Sequence, residues 1–275
     1  MVNESLLQHT GRDGFMRNAL ATTLLALTVA CSQQAAVVEE SRPLEVGSAV
    51  SVYTFNGDID VSWYQGTQME LSYRKTTWRG ESELDKVEVT VSQEDGQTVV
   101  RAEKLEPGAQ VGVDIELRLP EGVSLAMLES SNGDVNVTGG GGDVTVNTSN
   151  GDIVFHGFEG SVLGDTSNGD VVILGGTVRG ADTSNGEIEA EIREMEGGRT
   201  VLDTSNGNIT VYLDPALDVR VVMDTSNGSV SVDNLALASV RIDGSDGTAT
   251  LNAGTDELIL DTSNGNIQVY GLDAQ

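Results

Sequence analysis

The sequence predicts an all-β fold, a parallel β-solenoid in which short coils of chain stack into a rod. Three observations predict it: a turn motif repeated at a near-constant period, apolar alternation on both sides of that motif, and a composition rich in glycine and poor in aromatic residues. Each coil, called a rung below, cannot bury its own apolar face and must stack on its neighbours.

The repeated motif is Asp-Thr-Ser-Asn-Gly, followed by a polar residue and then Ile or Val. Successive copies lie 18, 18, 17, 21, 21, 19 and 18 residues apart, which predicts rungs of about 18–21 residues. A worn copy has Asp246 in place of the asparagine. The turn asparagines, which a parallel stack would align in a ladder, are Asn132, Asn150, Asn168, Asn185, Asn206, Asn227 and Asn264.

Apolar residues alternate with polar ones on both sides of each turn. Leu202 precedes Asn206 by four residues, and Ile209 and Val211 follow it by three and five. This period of two predicts a strand, a bend and another strand. Asn-Gly suits the bend because both residues tolerate positive φ. The same dipeptide favours an antiparallel meander of Asn-Gly hairpins as the alternative, but identical side chains at each turn favour a parallel stack.

The composition fits a stack of turns and short strands. The chain has 33 glycines, 4 prolines and 4% aromatic residues. A globular core built on large rings is excluded, and the core must come from Val, Ile and Leu.

Several motifs together resemble a known family. The turn copies, Phe-Asn-Gly-Asp-Ile-Asp-Val from Phe55 to Val61, and Leu-Pro-Glu-Gly from Leu119 to Gly122 resemble bacterial β-strand-repeat proteins of the domain-of-unknown-function 4097 (DUF4097) type, described as candidate adhesins. The resemblance covers about residues 43–275. It implies a right-handed β-solenoid at the cell envelope and implies no established activity.

Residues 1–30 are predicted to be a lipoprotein signal peptide. An uncharged run from Ala19 to Ala30 follows Arg17, and the chain's single cysteine, Cys31, comes next. The run is too short to span a bilayer. Cys31 is therefore predicted to be lipidated, with residues 31–42 as a tether; an ordinary cleaved signal is the alternative. Met16 is a second candidate start. The predicted location is the cell envelope, at the outer membrane or cell surface, with a lipid anchor in the membrane.

Residues 43–121 are predicted to form an irregular β cap of the solenoid, with an exposed loop at 75–85. Its aromatic residues have two interpretations: they plug the open end of the core, or they form a platform for a glycan or protein ligand. The candidate platform comprises Trp63, Tyr64 and Trp78. The predicted strands cover residues 49–54, 59–63, 69–73, 86–92, 98–104 and 111–119.

Residues 122–275 are predicted to form the regular part of the solenoid. The repeats continue to Tyr270, and only five residues follow it. An uncovered last rung would present an edge strand that can pair with another chain. End-to-end self-association is therefore a predicted interaction.

A carboxylate recurs three residues before most of the aligned turn asparagines. In a stack, such carboxylates would repel one another at about 4.8 Å. Two roles remain open: each closes its own turn by accepting N–H bonds from the next residues, or together they form a weak Ca²⁺ ladder, the one cofactor considered. The predicted ladder comprises Asp165, Asp182, Asp203, Asp224, Asp243 and Asp261.

Charge and residue types narrow the function classes. Residues 122–275 hold five Arg and no Lys against 24 Asp and Glu, a net charge of −19, which disfavours nucleic acid and anionic lipid as partners. Loss of the signal would leave His156 as the sole histidine, so no Ser-His-Asp site is expected. The sequence predicts a non-enzymatic envelope adhesin or scaffold. A Ca²⁺-dependent polysaccharide-active β-helix enzyme and an envelope-stress accessory protein are the alternatives.

Overall fold

The computed structural model describes residues 36–196 and 198–272, and these form two long β-sheets packed face to face. The all-β prediction is confirmed, with sheets of 11 and 12 strands that are parallel along most of their length. One short 3-10 helix, Glu81–Lys86, is also present among these residues.

Sheet 1 has eleven strands, most of which follow a turn motif. In chain order they are β1 Ala36–Leu44, β3 Ile59–Tyr64, β4 Met69–Thr77, β7 Gly112–Pro120, β9 Val135–Thr138, β11 Ile153–His156, β13 Val171–Leu174, β15 Ile188–Ile192, β17 Ile209–Leu213, β19 Val230–Asp233 and β23 Ile267–Gly271.

Sheet 2 has twelve strands, several of which end in the asparagine of a turn motif. They are β2 Ala49–Tyr53, β5 Val87–Glu94, β6 Gln97–Lys104, β8 Ser124–Glu129, β10 Gly141–Asn147, β12 Glu159–Asn168, β14 Thr177–Asn185, β16 Arg199–Asn206, β18 Val219–Asn227, β20 Leu237–Asp243, β21 Asp246–Leu251 and β22 Asp256–Asn264.

Each Asn-Gly turn motif carries the chain from sheet 2 to sheet 1, so the two flanking strands do not pair with each other. They pair instead with the same strands of neighbouring rungs: Asp182 lies opposite Asp203, and Ile188 lies opposite Ile209, both in parallel register. The hairpin-meander alternative is therefore wrong for these turns.

Antiparallel pairs close the two ends of the rod. At the amino-terminal end, β4 pairs with both β7 and β1 in sheet 1, and β5 pairs with β6 in sheet 2. At the other end, the hairpin β20–β21 continues sheet 2 beyond β18. The worn turn copy at Asp246 lies at this hairpin, so it does not form a rung.

The order of rungs along the rod differs from their order in the chain. The first rung, β2/β3, lies between β6/β7 and β8/β9, and the last, β22/β23, lies between β16/β17 and β18/β19. The expectation of an uncovered last rung is wrong because β23 pairs with β17 and β19. The outermost strands at this end are β19 and β20. End-to-end self-association stays a prediction, with β20 as the edge.

The core between the sheets is aliphatic along most of its length. Val146, Leu202 and Leu260 are fully buried, and the large buried rings are Phe155 and Phe158. Tyr73 is the buried ring of the cap, while Trp78 is 72% exposed. The expectation of an exposed loop at 75–85 is wrong in part, because β4 runs to Thr77 and the 3-10 helix buries Leu84.

Candidate functional site

The turn asparagines form a continuous hydrogen-bonded column on the outside of the rod. In each described pair, one amide nitrogen, Nδ2, donates to the Oδ1 of the asparagine in the neighbouring rung at 2.8–3.0 Å. The column follows the spatial order of rungs: Asn132, Asn150, Asn168, Asn185, Asn206, Asn264 and Asn227.

A second column, of buried threonines, lies beside the asparagines. Thr204 is 1% exposed, and its hydroxyl donates to the carbonyl of Gly186 in the neighbouring rung at 2.9 Å. The same bond recurs in the other rungs at 2.8–3.3 Å, so these buried hydroxyls are all satisfied. Sequence reasoning aligned these threonines without finding their acceptor.

The turn glycines are required because the backbones of adjacent rungs approach closely. A Cβ on Gly186 would lie 1.8 Å from the carbonyl oxygen of Gly169, and one on Gly207 would lie 1.9 Å from that of Gly186. The expected reason, positive φ at Asn and Gly, is wrong for the asparagines. Among the described residues other than glycine, positive φ occurs at Asp95, Asn234 and Asn252 alone.

Five of the predicted ladder aspartates lie side by side on the outer face of sheet 2. Their order along the rod is Asp165, Asp182, Asp203, Asp261 and Asp224. The sixth, Asp243, lies outside this parallel register, in the β20–β21 hairpin. It lies opposite Asp246, and Asp246 lies opposite Asp224 on its other side.

These five carboxylates have neither an ion pair nor a side-chain hydrogen bond among the described residues. Of the two roles left open by the sequence, turn closing is therefore not observed for these five aspartates. Partial burial, followed by repulsion from the adjacent aspartates, raises the pKa of Asp182 and Asp203. The pKa of Asp261 is raised for the same reasons.

A different acidic column, which sequence reasoning missed, performs the backbone-capping role. Asp58, Asp134, Asp152 and Asp170 follow the turn glycines, and each accepts the backbone N–H of the equivalent residue in the next rung at 2.7–2.9 Å. The repeated Asn-Gly-Asp could have indicated it. Burial is the largest influence on Asp58 and raises its pKa, although the N–H of Asp134 opposes this.

No group of three or more His, Cys, Asp or Glu side chains within residues 36–196 and 198–272 is arranged to hold a metal ion. The aspartates of sheet 2 form a single row, and each is flanked by one or two others. The Ca²⁺ ladder stays a prediction, which melting in Ca²⁺ and in chelator would test.

Asp203→Asn is expected to stabilise the protein at neutral pH. Asp203 lies between Asp182 and Asp261, and each adjacent pair of charges repels by about 0.9 kcal/mol at the dielectric constant of water. Removing the Asp203 charge relieves both repulsions, about 1.8 kcal/mol together, and should raise Tm by about 4–7 °C, as measured by thermal melting. Glu121→Gln, which removes an exposed charge elsewhere, is the control and should leave Tm nearly unchanged.

The pH dependence of this variant follows from the raised pKa of Asp203. The Asp203 carboxylate binds a proton more tightly in the folded state than in the unfolded state. The charged carboxylate therefore destabilises the native protein fully above the folded-state pKa of Asp203, and this destabilisation is relieved as pH falls through that pKa. Acidification from pH 7 should therefore narrow the difference in Tm between the variant and the native protein. A difference that widens on acidification would contradict the assignment.

The three candidate platform residues do not come together. Trp63 and Tyr64 lie beside the carboxyl end of β7, opposite Leu119 and Pro120, whereas Trp78 follows Thr77 near the other end of β7. Seven residues of strand, about 23 Å, separate these positions. Trp63 donates its Nε1 proton to the carbonyl of Val123 at 2.9 Å and contacts Phe158 edge-on, so it packs as a structural residue.

Trp78 borders a surface cleft of about 380 Å³ on the cap. Phe55, Lys104 and Gln110 also line it, and the ammonium of Lys104 lies 4.2 Å from the centre of the Phe55 ring. Two turn asparagines, Asn56 and Asn132, are also among its polar lining residues. None of the lining residues is Asp or Glu, so the cleft lacks the carboxylate pair that glycoside hydrolysis normally uses.

Hydrogen bonds fix the turn that presents Trp78. The hydroxyl of Thr77 donates to the carbonyl of Gln110 at 2.7 Å and accepts the N–H of Arg79 at 3.2 Å. The Gln110 side chain accepts from the guanidinium of Arg79, and the backbone N–H of Gln110 donates to the Glu83 carboxylate. That last bond, with Lys86, lowers the pKa of Glu83. The ring is thus exposed on a well-supported turn.

Sequence reasoning found Trp78 but missed Lys104, Gln110 and Phe55 as its neighbours. These residues come from separate strands and loops. Their proximity to Trp78 depends on the pairing of β4 with β7, the strand that follows β6 in the chain. Nothing in the local sequence indicated that pairing.

Cys31 lies outside the described residues. Within the described part of the chain, no helix has the length and hydrophobicity needed to cross a bilayer.

Two facing sheets of largely parallel strands, connected in each rung by the same turn motif, make this protein a β-solenoid repeat protein. The chain belongs to the Toastrack DUF4097 family, whose model matches residues 43–270. No curated protein matches the chain.

Several solved structures are similar in fold. A "putative adhesin" from Bacteroides fragilis has 12% identity and a TM-score of 0.48, covering 86% of this chain and 97% of that chain. A "putative cell adhesion protein" from Clostridium sporogenes has 13% identity and a TM-score of 0.37, covering 86% of this chain and 100% of that chain.

Proposed function

We propose that this protein is a non-enzymatic envelope scaffold or adhesion module. A lipid on Cys31 holds it to a membrane, and the Trp78 cleft binds an envelope glycan. The exposure of Trp78 is the observation that carries this proposal. The Trp78 ring is 72% exposed, and hydrogen bonds already hold the turn that carries it. Trp78 therefore loses little conformational entropy when it binds a ligand.

The chemistry of the cleft suits a sugar that carries an acidic group. The rings of Trp78 and Phe55 offer flat apolar faces, while the amides of Gln110 and Asn132 can exchange hydrogen bonds with hydroxyl groups. Lys104 has no carboxylate partner among the described residues, so its ammonium is available to an anionic ligand. The absence of lining carboxylates supports binding without hydrolysis.

The position of the cap relative to the predicted anchor supports a ligand in the same envelope. The first described residue, Ala36, lies opposite Thr77, next to Trp78, and Cys31 precedes it by five residues. Five residues can span at most about 18 Å. An anchor on Cys31 would therefore hold the cleft near the membrane, with the β20 end of the rod pointing away.

Trp78→Ala is expected to weaken binding of the purified protein to isolated envelope polysaccharide by about tenfold or more, because truncation of a tryptophan that anchors a ligand costs about 2 kcal/mol or more. Co-sedimentation measures the affinity. Leu105→Ala, which truncates a side chain 57% exposed, is the matched control and should bind as the native protein does. Equal loss in both variants, or binding unaffected by Trp78→Ala, would contradict the role of the cleft.

Cys31→Ser is expected to release the protein from washed membranes into the soluble fraction, because serine cannot carry the predicted thioether-linked lipid. Fractionation followed by immunoblotting measures the distribution. Ser32→Ala, an adjacent change that keeps the thiol, is the control and should stay in the membrane fraction. Retention of Cys31→Ser would remove the anchor from the proposal while leaving the Trp78 experiment valid.

A further inference from the structure

The outer face of sheet 2 carries two adjacent rows of side chains that run along the rod. Both rows cross β12, β14, β16, β22 and β18, one residue from each strand. One is the row of five aspartates described above. The other, two residues earlier in each strand, is an apolar row: Leu163, Gly180, Val201, Ile259 and Val222.

The apolar row is accessible to a partner. Leu163 is 39% exposed and Val201 is 37% exposed, while Ile259 and Val222 are half-buried. Gly180, between Leu163 and Val201, has no side chain and is buried, and Cδ1 of Leu163 lies 3.1 Å from the position that a Cβ on Gly180 would take. Since these residues point away from the core, their burial by a partner would add apolar contact without disturbing the rod.

The acidic row lacks a compensating cation of this chain. The arginines on the same face are engaged elsewhere: Arg199 and Arg220 both pair with Glu257, at 3.7 and 3.1 Å, and Arg179 donates to the carbonyl of Val144. Among the described residues, none of the five aspartates has an ion pair. A basic partner would therefore gain charge interactions and relieve the repulsion within the row.

We propose that these two rows form a docking surface for a basic amphipathic helix of another protein. The apolar stripe of the helix would lie on the Leu163–Val222 row, and its Lys or Arg residues would lie on the aspartates. Charge complementarity selects this partner over an anionic membrane or a second copy of this acidic chain, whose net charge is −28.

The dimensions of the surface match a short helix. Five strands span four intervals of about 4.8 Å, or roughly 19 Å, and a helix of about 13 residues has the same length. One helical turn rises about 5.4 Å, so each turn meets about one rung, and the mismatch accumulates to only about 2.4 Å across the surface. The long stems of Lys and Arg can accommodate this difference.

The test uses a labelled synthetic helix of about 14 residues, with leucines along one stripe and lysines along the adjacent one, titrated with the full-length protein near physiological salt. Fluorescence anisotropy measures Kd. The triple variant Asp182→Asn, Asp203→Asn, Asp261→Asn and the double variant Leu163→Ser, Val201→Ser should each weaken binding by roughly tenfold or more. Thermal melting checks that both variants fold.

Two controls separate docking from general attraction to an acidic protein. The triple variant Glu88→Gln, Glu116→Gln, Glu121→Gln removes the same number of charges in the cap and should change Kd less than about twofold. A peptide of the same composition with scrambled leucine and lysine positions should bind at least tenfold more weakly. Equal weakening in the cap control, or equal binding of the scrambled peptide, would overturn the proposal.

Discussion

Gly186→Ala is expected to destabilise the rod by about 3 kcal/mol or more, lowering Tm by at least about 6 °C. The added Cβ would lie 1.8 Å from the carbonyl oxygen of Gly169, a contact that neither backbone can avoid without shifting. A shift would also disturb the bond that Gly186 accepts from buried Thr204 and the one that its N–H donates to Asn206. Thermal or urea unfolding measures the loss.

Gly164→Ala is the matched control for this prediction. Gly164 lies within β12 of sheet 2, and its Cβ would meet Val171 at 3.4 Å and Ile153 at 3.7 Å, which are ordinary packing distances. Because alanine suits a strand interior better than glycine, the control should be neutral or stabilising by up to about 1 kcal/mol. Similar losses in both variants would show that close approach of the rungs is not the reason for glycine at the turn.

Phe158→Ala is expected to cost about 3–5 kcal/mol of stability. Phe158 is 1% exposed and contacts Phe155 edge-on, with ring centres 5.2 Å apart, and Trp63 at 6.3 Å. Truncation would leave a cavity where the aliphatic core contains its largest rings. Chemical denaturation measures the free energy of unfolding.

The fluorescence of Trp63 provides an independent measurement of this cavity. The chain has two tryptophans, so Trp78→Phe leaves Trp63 as the sole indole. In that background, Phe158→Ala should shift the Trp63 emission because the ring loses its edge contact, whereas Phe158→Leu should cost less than about 1.5 kcal/mol and shift it less. An unchanged emission with full stability in Phe158→Ala would contradict the packing described.

The repeat sequence predicted the rungs well because each motif position has one physical task. Thr204 must be polar because its buried hydroxyl donates to the carbonyl of Gly186 in the next rung. Asn206 must carry an amide and Gly207 must be small because each faces its own copy there. The alternation around them placed Leu202 and Ile209 correctly in the core. The candidate ligand platform was less predictable, since Trp63 and Trp78 belong to different ends of β7 and only the sheet topology separates them.

The turn motifs alone do not predict the spatial order of the rungs, since identical motifs can stack in any order. The choice of neighbour depends on side chains outside the motif. Tyr212 of β17 stacks on Tyr270 of β23, with ring centres 5.8 Å apart and planes inclined by 26°. Both tyrosines occupy the same position in their rungs, and this shared residue was the signal that these two rungs are adjacent.

The insertion of the first and last rungs into the stack governs how the protein can assemble and come apart. Until β22 and β23 are synthesised, the exposed side of β16/β17 has no native partner, so the final native contacts wait for residues about 58 positions further along the chain. A pulling force or exopeptidase that acts from the carboxyl-terminal side then meets β22/β23, a rung held by neighbours on both sides. Unravelling from that side must begin by shearing this interior rung free, which favours kinetic persistence over easy fraying.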